Sequence, residues 1–220
     1  MIGVITAFNF PLAVLGWNAA ISLICGNTQI WKGASTTSLV TVAVTKLIAE
    51  VLERNNVPNG VFTTISGSGA LIGEYLIQDS RLTLISFTGS TEIGRRISSV
   101  VHGRFGRTIL ELGGNNAFLI MEDANIDMAV RSALFGSVGT SGQRCTSTRR
   151  ILVHEKVYDN VVERLTKAYK SVKIGDPLVD GTVMGPIHTK SAVKEYSEGL
   201  KTIQEQVSNL FYFFFYFNLW

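Results

Sequence analysis

The sequence predicts an α/β fold in which a mostly parallel sheet is covered by helices on both faces. Short runs rich in β-branched residues alternate with longer stretches whose apolar residues recur at helical spacing. Hydrophobic residues make up 46% of the 220 residues and charged residues only 17%, which favours a packed core. Glycine turns follow two of the predicted strands. Ligands of such sheets bind beyond the carboxyl ends of the strands, so we expect a site at that edge.

The first half of the chain supplies most of the sheet. A proline in the first turn and Gly26 just after the end delimit the first helix, and an Asn-rich turn at 55–60 ends the second. The predicted strands are Ile2 to Ala7, Thr28 to Trp31, Val61 to Ile65, Thr83 to Phe87 and Thr108 to Leu112. The predicted helices are Pro11 to Ile24, Ser38 to Arg54, Leu71 to Gln78 and a helix that ends near Val101.

The alternation restarts after Glu111. Strands are predicted at Ala117 to Ile120 and Arg150 to His154, with helices at Ile126 to Val138 and Tyr158 to Lys170. We therefore expect a partial cofactor-binding domain over residues 1–114 and part of a second α/β domain, which carries Cys145, over 115–206. Residues 207–220 are predicted to be an aromatic-rich tail outside the fold.

Charge and cysteine content exclude several classes of function. The net charge of +3 is modest and the basic pairs Arg95-Arg96 and Arg149-Arg150 are isolated, so no nucleic-acid partner is expected. Two cysteines and three scattered histidines form neither a disulfide framework nor a zinc pattern, so we expect no metal and a reducing compartment. Cys25 follows an apolar helical run and is predicted to pack in the core.

The two ends of the chain are compared with targeting and membrane-spanning segments. Met1 is followed directly by an apolar strand and not by a targeting segment, which predicts a cytoplasmic location for this chain, with a mitochondrial one open to a full-length form. The aromatic run Leu210 to Phe217 is too short to cross a bilayer, which takes about 20 residues. We expect no membrane association, and we interpret this run as an unrelated terminus.

Two short segments contain the candidate chemistry. Gly142-Gln143-Arg144-Cys145-Thr146-Ser147 is a polar loop in which an arginine adjoins a cysteine, and a nearby cation favours the reactive thiolate. Glu111 ends an alternating run and precedes Gly113-Gly114, where a carboxylate could act as a general base. The alternatives are a buried packing role for Cys145 and an outward-facing strand position for Glu111.

Cofactor candidates lie after the strands. Gly67 to Gly73 is spaced as G-x-G-x-x-x-G, one residue longer than a dinucleotide fingerprint, and this spacing favours a plain βα turn. Gly89-Ser90 opens a helix whose free N–H groups favour an anion, although serine there could simply cap the helix. Lys32 is predicted just past a strand, where it could reach a ribose or phosphate, or be solvated.

Four segments in order give the chain a family resemblance. Phe8-Asn9-Phe10-Pro11, Phe87-Thr88-Gly89-Ser90-Thr91-Glu92-Ile93-Gly94, Glu111-Leu112-Gly113-Gly114 and Gly142-Gln143-Arg144-Cys145 resemble motifs of the aldehyde dehydrogenase superfamily. The resemblance implies a Rossmann-type sheet, NAD as cofactor, Cys145 as nucleophile, Glu111 as base and Asn9 as oxyanion donor. It implies that Arg144 and Thr146 contact the substrate. The cofactor-binding residues implied are Thr6, Ala7, Phe8, Lys32, Gly73, Gly89, Ser90 and Leu112.

Finer details resemble the antiquitin branch of the superfamily, which oxidises aminoadipate semialdehyde in lysine breakdown. Three segments carry this likeness, namely Ile30 to Ala34, Gly113 to Ala117 and Gly142 to Thr146. Many members hold a glutamate three residues after the lysine to bind the adenosine ribose, and Ser35 stands there, which leaves NADP as an alternative to NAD.

The family forms homo-oligomers through segments that are expected to lie outside this chain. A truncated, inactive member is therefore one alternative. A cysteine hydrolase or acyltransferase that uses Cys145 with His154 or His188 is another, and it would act without a nicotinamide.

Overall fold

The computed structural model describes residues 1–206, and its centre is a five-stranded sheet in which every neighbouring pair is parallel. The strand order is β3-β2-β1-β4-β5. The chain adds β2 and β3 on one side of β1 and then β4 and β5 on the other, so the order of addition reverses at β1 and β4, as in dinucleotide-binding folds. The predicted parallel α/β architecture is confirmed. The strands are β1 (Ile2–Ile5), β2 (Gln29–Lys32), β3 (Phe62–Thr64), β4 (Leu84–Thr88) and β5 (Arg107–Glu111).

Seven α-helices are described, and four have the bounds that the sequence predicts. These four are α1 (Pro11–Ile24), α2 (Ser38–Arg54), α5 (Ile126–Val138) and α6 (Tyr158–Lys170). The others are α3 (Glu74–Gln78), α4 (Thr91–Gly103) and α7 (Lys190–Gln206), the last of which was not predicted. A π-helical turn over Gly69–Gly73 precedes α3, and this turn explains why the helix begins three residues later than predicted.

Helices pack on both faces of the sheet because consecutive strand residues point to opposite sides. Val4 belongs to a core with Leu15 and Ala19 of α1 and Val44 of α2. Ile5, the next residue, belongs to a second core with residues of α3 and α4. The residues of β1 are buried on both sides, as expected for a doubly covered parallel sheet.

Contacts divide the chain into two compact units. The first comprises Met1–Leu119 and Arg144–Leu152, and the second comprises Ile120–Gln143 and Val153–Trp220, described as far as Gln206. Cys145 thus lies in the unit that contains the parallel sheet. The boundary at residue 114 stays a prediction, and the predicted tail at 207–220 lies outside the described residues.

The second unit is built around α5 and α6. Ala129, Val130 and Ala133 of α5 and Val161 of α6 are buried. Asp127 of α5 pairs with Arg164 of α6. The strands β6 (Asn116–Ile120) and β7 (Thr148–Val153), all but their last residues in the first unit, form a separate two-stranded sheet.

The outer surfaces of α1 and α2 remain apolar. Trp17 is 51% exposed and Ile21 67%, and Leu39 of α2 is 86% exposed. The helical stretch Ser35–Arg54 has the length and mean hydropathy of a membrane span, although α2 also contributes Thr41 and Val44 to the core beside the sheet. Surfaces of this kind favour association.

One cysteine prediction is wrong. Cys25 is an exposed free thiol and not a core residue. The buried stripe of α1 consists of Val14, Leu15, Ala19 and Ser22, and Cys25 follows the last helical residue, beyond that stripe. Cys145 is also an exposed free thiol, which excludes the buried packing role for it.

Candidate active site

The carboxyl ends of β1 and β2 are joined by polar contacts. The backbone N–H of Thr6 donates to the carbonyl of Lys32 at 3.1 Å. The indole Nε1 of Trp31, which is fully buried, donates to Thr6 Oγ1 at 3.0 Å. The hydroxyl of Thr6 is therefore a structural link between the two strands, and the loop of Ala7, Phe8 and Asn9, all half-buried, leaves the sheet from a fixed point.

Lys32 is the last residue of β2, which corrects the prediction that it lies beyond the strand. Lys32 is buried, with 4% of its surface exposed. Its Nζ donates to the carbonyl of Gly33 at 3.1 Å. Burial lowers the pKa of Lys32 because desolvation disfavours the ammonium. The solvated alternative is thus excluded, and a cation is held at the edge where sheet ligands bind.

The ends of β4 and β5 are joined in the same way. Thr88 is the register partner of Glu111, and the N–H of Gly89 donates to the Glu111 carbonyl at 3.1 Å. Glu111 is exposed at the strand end. This exposure agrees both with a simple outward-facing strand residue and with a base that is open to water. The Oγ1 of Thr88 is buried without a hydrogen-bond partner among the described residues, so it can bind a polar ligand.

Ser90 caps α4. Its Oγ accepts a hydrogen bond from the N–H of Ile93 at 3.4 Å, so the capping alternative is realised. The helix of 13 residues still directs its N-terminus, with partial positive charge, at the carboxyl edge of the sheet. An anion at Gly89-Ser90 would be bound by this helix end and by backbone N–H groups.

Two further predicted cofactor residues have local roles. Leu112 packs its side chain on the core and fills the space beside Gly94 on α4, where a Cβ would overlap it. Gly73 is buried at the end of the π-helical turn, and its N–H donates to the Ser68 carbonyl at 3.3 Å. The structure therefore uses the Leu112 side chain for packing, which leaves its backbone for any ligand.

The nucleophile segment forms a closed turn. The N–H of Ser147 donates to the Arg144 carbonyl at 3.2 Å, and the N–H of Arg144 donates to Ser147 Oγ at 3.1 Å. Ser147 is buried at 3% exposure, whereas Cys145 and Thr146 are exposed at the tip. The turn therefore presents the thiol and the Thr146 side chain to solvent.

Asn116 ties this turn to the segment that follows Glu111. Its Nδ2 donates to the carbonyl of Cys145 at 2.7 Å and to that of Ser147 at 3.1 Å. Sequence reasoning assigned Asn116 no role, although it stands in the segment Gly113 to Ala117 that carries the family likeness. The signal that could have identified it is an amide at the start of a strand, close to two glycines that allow close backbone approach.

The loop after β1 also touches the turn. The guanidinium of Arg144 lies 5.7 Å from the centroid of the Phe10 ring, within cation–π range. Asn9 precedes Phe10 and Cys145 follows Arg144, so one contact brings together the segments that hold the predicted oxyanion donor and nucleophile. The guanidinium of Arg144, the residue before Cys145, is thereby held against Phe10.

The second unit contains His154 and His188, the two histidines that a cysteine hydrolase or acyltransferase would pair with Cys145. The Nδ1 of His154 accepts a hydrogen bond from the N–H of Lys156 at 3.3 Å and so caps a short 3₁₀ turn. The N–H of His188 donates to Gln143 Oε1 at 2.9 Å. Within residues 1–206, no three His, Cys, Asp or Glu side chains come together as a metal site.

Comparison with known sequences identifies relatives over almost the whole chain. The aldehyde dehydrogenase family model matches residues 1–212. An aldehyde dehydrogenase family 7 member A1 homolog of Dictyostelium discoideum is 64% identical over 94% of this chain and 40% of its own length. Alpha-aminoadipic semialdehyde dehydrogenase of Bos taurus is 50% identical over 96% of this chain and 39% of its own. The chain therefore spans about 40% of the length of these relatives.

Solved structures show the same fold. Betaine aldehyde dehydrogenase of Staphylococcus aureus in complex with NAD⁺ superposes with a TM-score of 0.89 at 30% identity, over 93% of this chain and 40% of that one. Glyceraldehyde-3-phosphate dehydrogenase GapN of Methanocaldococcus jannaschii complexed with NADP gives 0.90 at 31% identity, over 93% and 44%. By the family model that covers most of its residues and by these likenesses, the chain belongs to the aldehyde dehydrogenase family.

Proposed function

We propose that this chain carries the nucleophile, the base and part of the cofactor site of an NAD-dependent aldehyde dehydrogenase, and that the whole protein oxidises aminoadipate semialdehyde to its carboxylic acid. The observation that carries the proposal is a pair of contacts that link three of the predicted segments. Gly89 binds the Glu111 backbone, and Asn116, five residues after Glu111, binds the Cys145 backbone. The 50% identity to the Bos taurus alpha-aminoadipic semialdehyde dehydrogenase supports the choice of substrate.

Cys145 has the chemistry of a covalent nucleophile. Its thiolate attacks the aldehyde carbon, and a new C–S bond forms while the carbonyl oxygen takes up negative charge. The side-chain amide of Asn9 and the backbone N–H of Cys145 are the donors proposed to stabilise that charge. Arg144, which precedes Cys145 in the sequence, is held against the Phe10 ring.

The edge of the sheet fits a dinucleotide. Buried Lys32, the N-terminus of α4 and the unpartnered hydroxyl of Thr88 offer a cation, N–H donors and a polar group at the carboxyl ends of β2 and β4. We propose that Lys32 and Gly89-Ser90 hold NAD there, with Thr6, Ala7, Phe8, Gly73 and Leu112 as further contacts. When bound, NAD supplies the hydride acceptor for the oxidation.

Glu111 completes the reaction. Loss of hydride leaves a thioester on Cys145, and water must attack that carbonyl to release the acid. We propose that the exposed Glu111 carboxylate takes a proton from this water, after which the C–S bond breaks and the Cys145 thiolate returns. The balance is one aldehyde, one NAD⁺ and one water converted to one acid, one NADH and one released proton.

The substrate proposal also assigns roles to the exposed tip of the turn. Aminoadipate semialdehyde has a carboxylate and an ammonium at the end remote from the aldehyde. We propose that Arg144 and Thr146 contact this substrate near its reacting end.

Because both cysteines are free thiols, we also propose a reducing compartment, with the cytoplasm as the location of this chain.

The experiment that tests the proposal follows NADH absorbance. The purified 220-residue chain is supplied with NAD and aminoadipate semialdehyde, beside Cys145→Ala and the matched control Cys25→Ala, which removes the other exposed thiol. The parent and Cys25→Ala should form NADH, and Cys145→Ala should form none while it still binds NAD.

One result would overturn the assignment of the nucleophile, and a second would overturn the expectation that this chain is active by itself. Turnover retained in Cys145→Ala would show that the thiol is not the nucleophile. A folded parent chain that binds NAD but forms no NADH would show that the activity requires a longer polypeptide than this one.

A further inference from the structure

The turn that presents Cys145 is held by hydrogen bonds within the turn and by hydrogen bonds from Asn116. Its ends are closed by the two hydrogen bonds between Arg144 and Ser147. These bonds fix the ends of the turn but leave the carbonyls of Cys145 and Ser147 without a partner inside it. Both carbonyls bind the same group, the Nδ2 of Asn116. An amide NH₂ has two donors, so one side chain satisfies both acceptors at once.

The backbone around Asn116 is arranged for this contact. The guanidinium of Arg150 on β7 donates to the carbonyl of Asn115 at 2.8 and 3.2 Å, which fixes the peptide that leads into Asn116. Gly114 lies so close that a Cβ on it would be 3.0 Å from the Cys145 carbonyl and 2.8 Å from Asn116 Oδ1. Only glycine admits this approach without a shift of the turn or of the amide.

We infer that Asn116 is a positioning residue for the nucleophile: by binding the carbonyls of Cys145 and Ser147 it fixes the peptide planes that orient the Cys145 side chain. The inference rests on the proposed function only in that Cys145 is the reacting group. It assigns Asn116 a role through its contacts with the backbone of the nucleophile segment. Orientation of a nucleophile is worth large factors in rate, so this role should be measurable on the thiol itself.

Asn116→Asp tests the donor specifically. Aspartate has the same shape, but as a carboxylate it only accepts hydrogen bonds, so it would face two carbonyl oxygens with negative charge. Asn115→Asp is the matched control, because it adds the same charge one residue away on an exposed side chain whose neighbouring carbonyl, and not its amide, binds Arg150. The pair separates loss of the donor from a general effect of charge.

The readout is alkylation of Cys145 by iodoacetamide in a Cys25→Ser background, followed by mass spectrometry across a range of pH. Asn116→Asp and Asn116→Ala should lower the alkylation rate at neutral pH by about tenfold and shift the pH profile, and Asn115→Asp should stay within about twofold of the parent. An unchanged rate and profile in both Asn116 variants would overturn the inference, even if their unfolding temperatures fell.

A second variant reaches the same contact from the other side. Gly114→Ala retains Asn116 but pushes a methyl group against the Cys145 carbonyl, and it should alter the same alkylation profile. If the Asn116 variants do not fold, an unchanged profile in Gly114→Ala would contradict the inference. Alkylation needs neither NAD nor an aldehyde, so its outcome is independent of whether the chain forms NADH.

Discussion

The backbone N–H of Gly89 donates to the carbonyl of Glu111 at 3.1 Å, so the turn proposed to bind the cofactor is fastened to the residue proposed to act as base. The contact extends the parallel ladder between β4 and β5, in which Thr88 is paired with Glu111. The backbone of Glu111 is therefore fixed next to the turn that precedes α4. The turn proposed to bind the cofactor follows β4, and the proposed base Glu111 ends the neighbouring strand β5.

Glu111→Gln should separate oxidation from hydrolysis. Glutamine has the same shape but cannot take a proton from water, so the thioester on Cys145 would persist. We expect a burst of about one NADH per chain, followed by turnover reduced about 10²- to 10⁴-fold. Rapid-mixing absorbance measures both phases, and Glu92→Gln, an exposed acid of α4, is the control. Full steady-state turnover in Glu111→Gln would exclude it as the base.

Lys32→Met should stabilise the fold and weaken cofactor binding. Burial lowers the pKa of Lys32 in the folded state, so the unfolded chain holds the proton more tightly and the folded state is penalised wherever the lysine is charged. The penalty is full below the lowered pKa and disappears as pH rises past the unfolded value of roughly 10.4. Denaturant unfolding should therefore show Lys32→Met more stable than the parent at neutral pH, with the difference smaller at higher pH.

The same variant tests the role of the ammonium. Isothermal titration with NAD should show binding weakened by about tenfold or more, the value expected for loss of one charged hydrogen bond. Lys46→Met, on an exposed position of α2, should leave both stability and binding near those of the parent. Equal NAD affinity in Lys32→Met would show that Lys32 is buried for a reason unrelated to the cofactor.

Two glycines in helices should respond to alanine with opposite signs. A Cβ at Gly94 of α4 would overlap the Leu112 side chain, so Gly94→Ala should lower the free energy of unfolding by about 1–3 kcal/mol. Gly16 of α1 is exposed, and a methyl group added there would have no atom within 4 Å, so Gly16→Ala should raise it by about 0.5–1 kcal/mol. Denaturant unfolding measures both, and equal effects would contradict the packing of Leu112 on α4.

Helices α1 and α2 were predictable because the residues at their ends mark where each one starts or stops. Pro11 and Gly26 delimit α1, and the turn after Arg54 delimits α2, so these bounds agree with the structure. The π-helical turn at Gly69–Gly73 was not predictable, because its apolar residues have the same spacing as an ordinary helix start. Local sequence also carries no signal for Thr140 and Ser141, which are not glycines but adopt positive φ values of 55° and 54°.

The candidate site residues stay predictions from sequence motifs, and the contacts between their segments are known only from the structure. Cys145, Glu111 and Asn9 stand in recognisable motifs, and the parallel sheet places strand ends at one edge. The tether from Asn116 to Cys145 joins residues 29 positions apart, which no local pattern reveals. The exposure of Cys25 was missed because hydrophobic neighbours indicate a helix but do not tell which of its faces remains uncovered.

The indole of Trp31 has a consequence for how the molecule can be observed. It is fully buried and its Nε1 is bound to Thr6, one strand away from the loop that leads to Asn9, whereas Trp17 is half exposed on the surface of α1. The emission of a tryptophan depends on its solvation and hydrogen bonding, so the seam between β1 and β2 contains its own fluorophore. Any ligand that moves Thr6 or Lys32 changes the surroundings of that indole, and the light it emits reports the event without an added label.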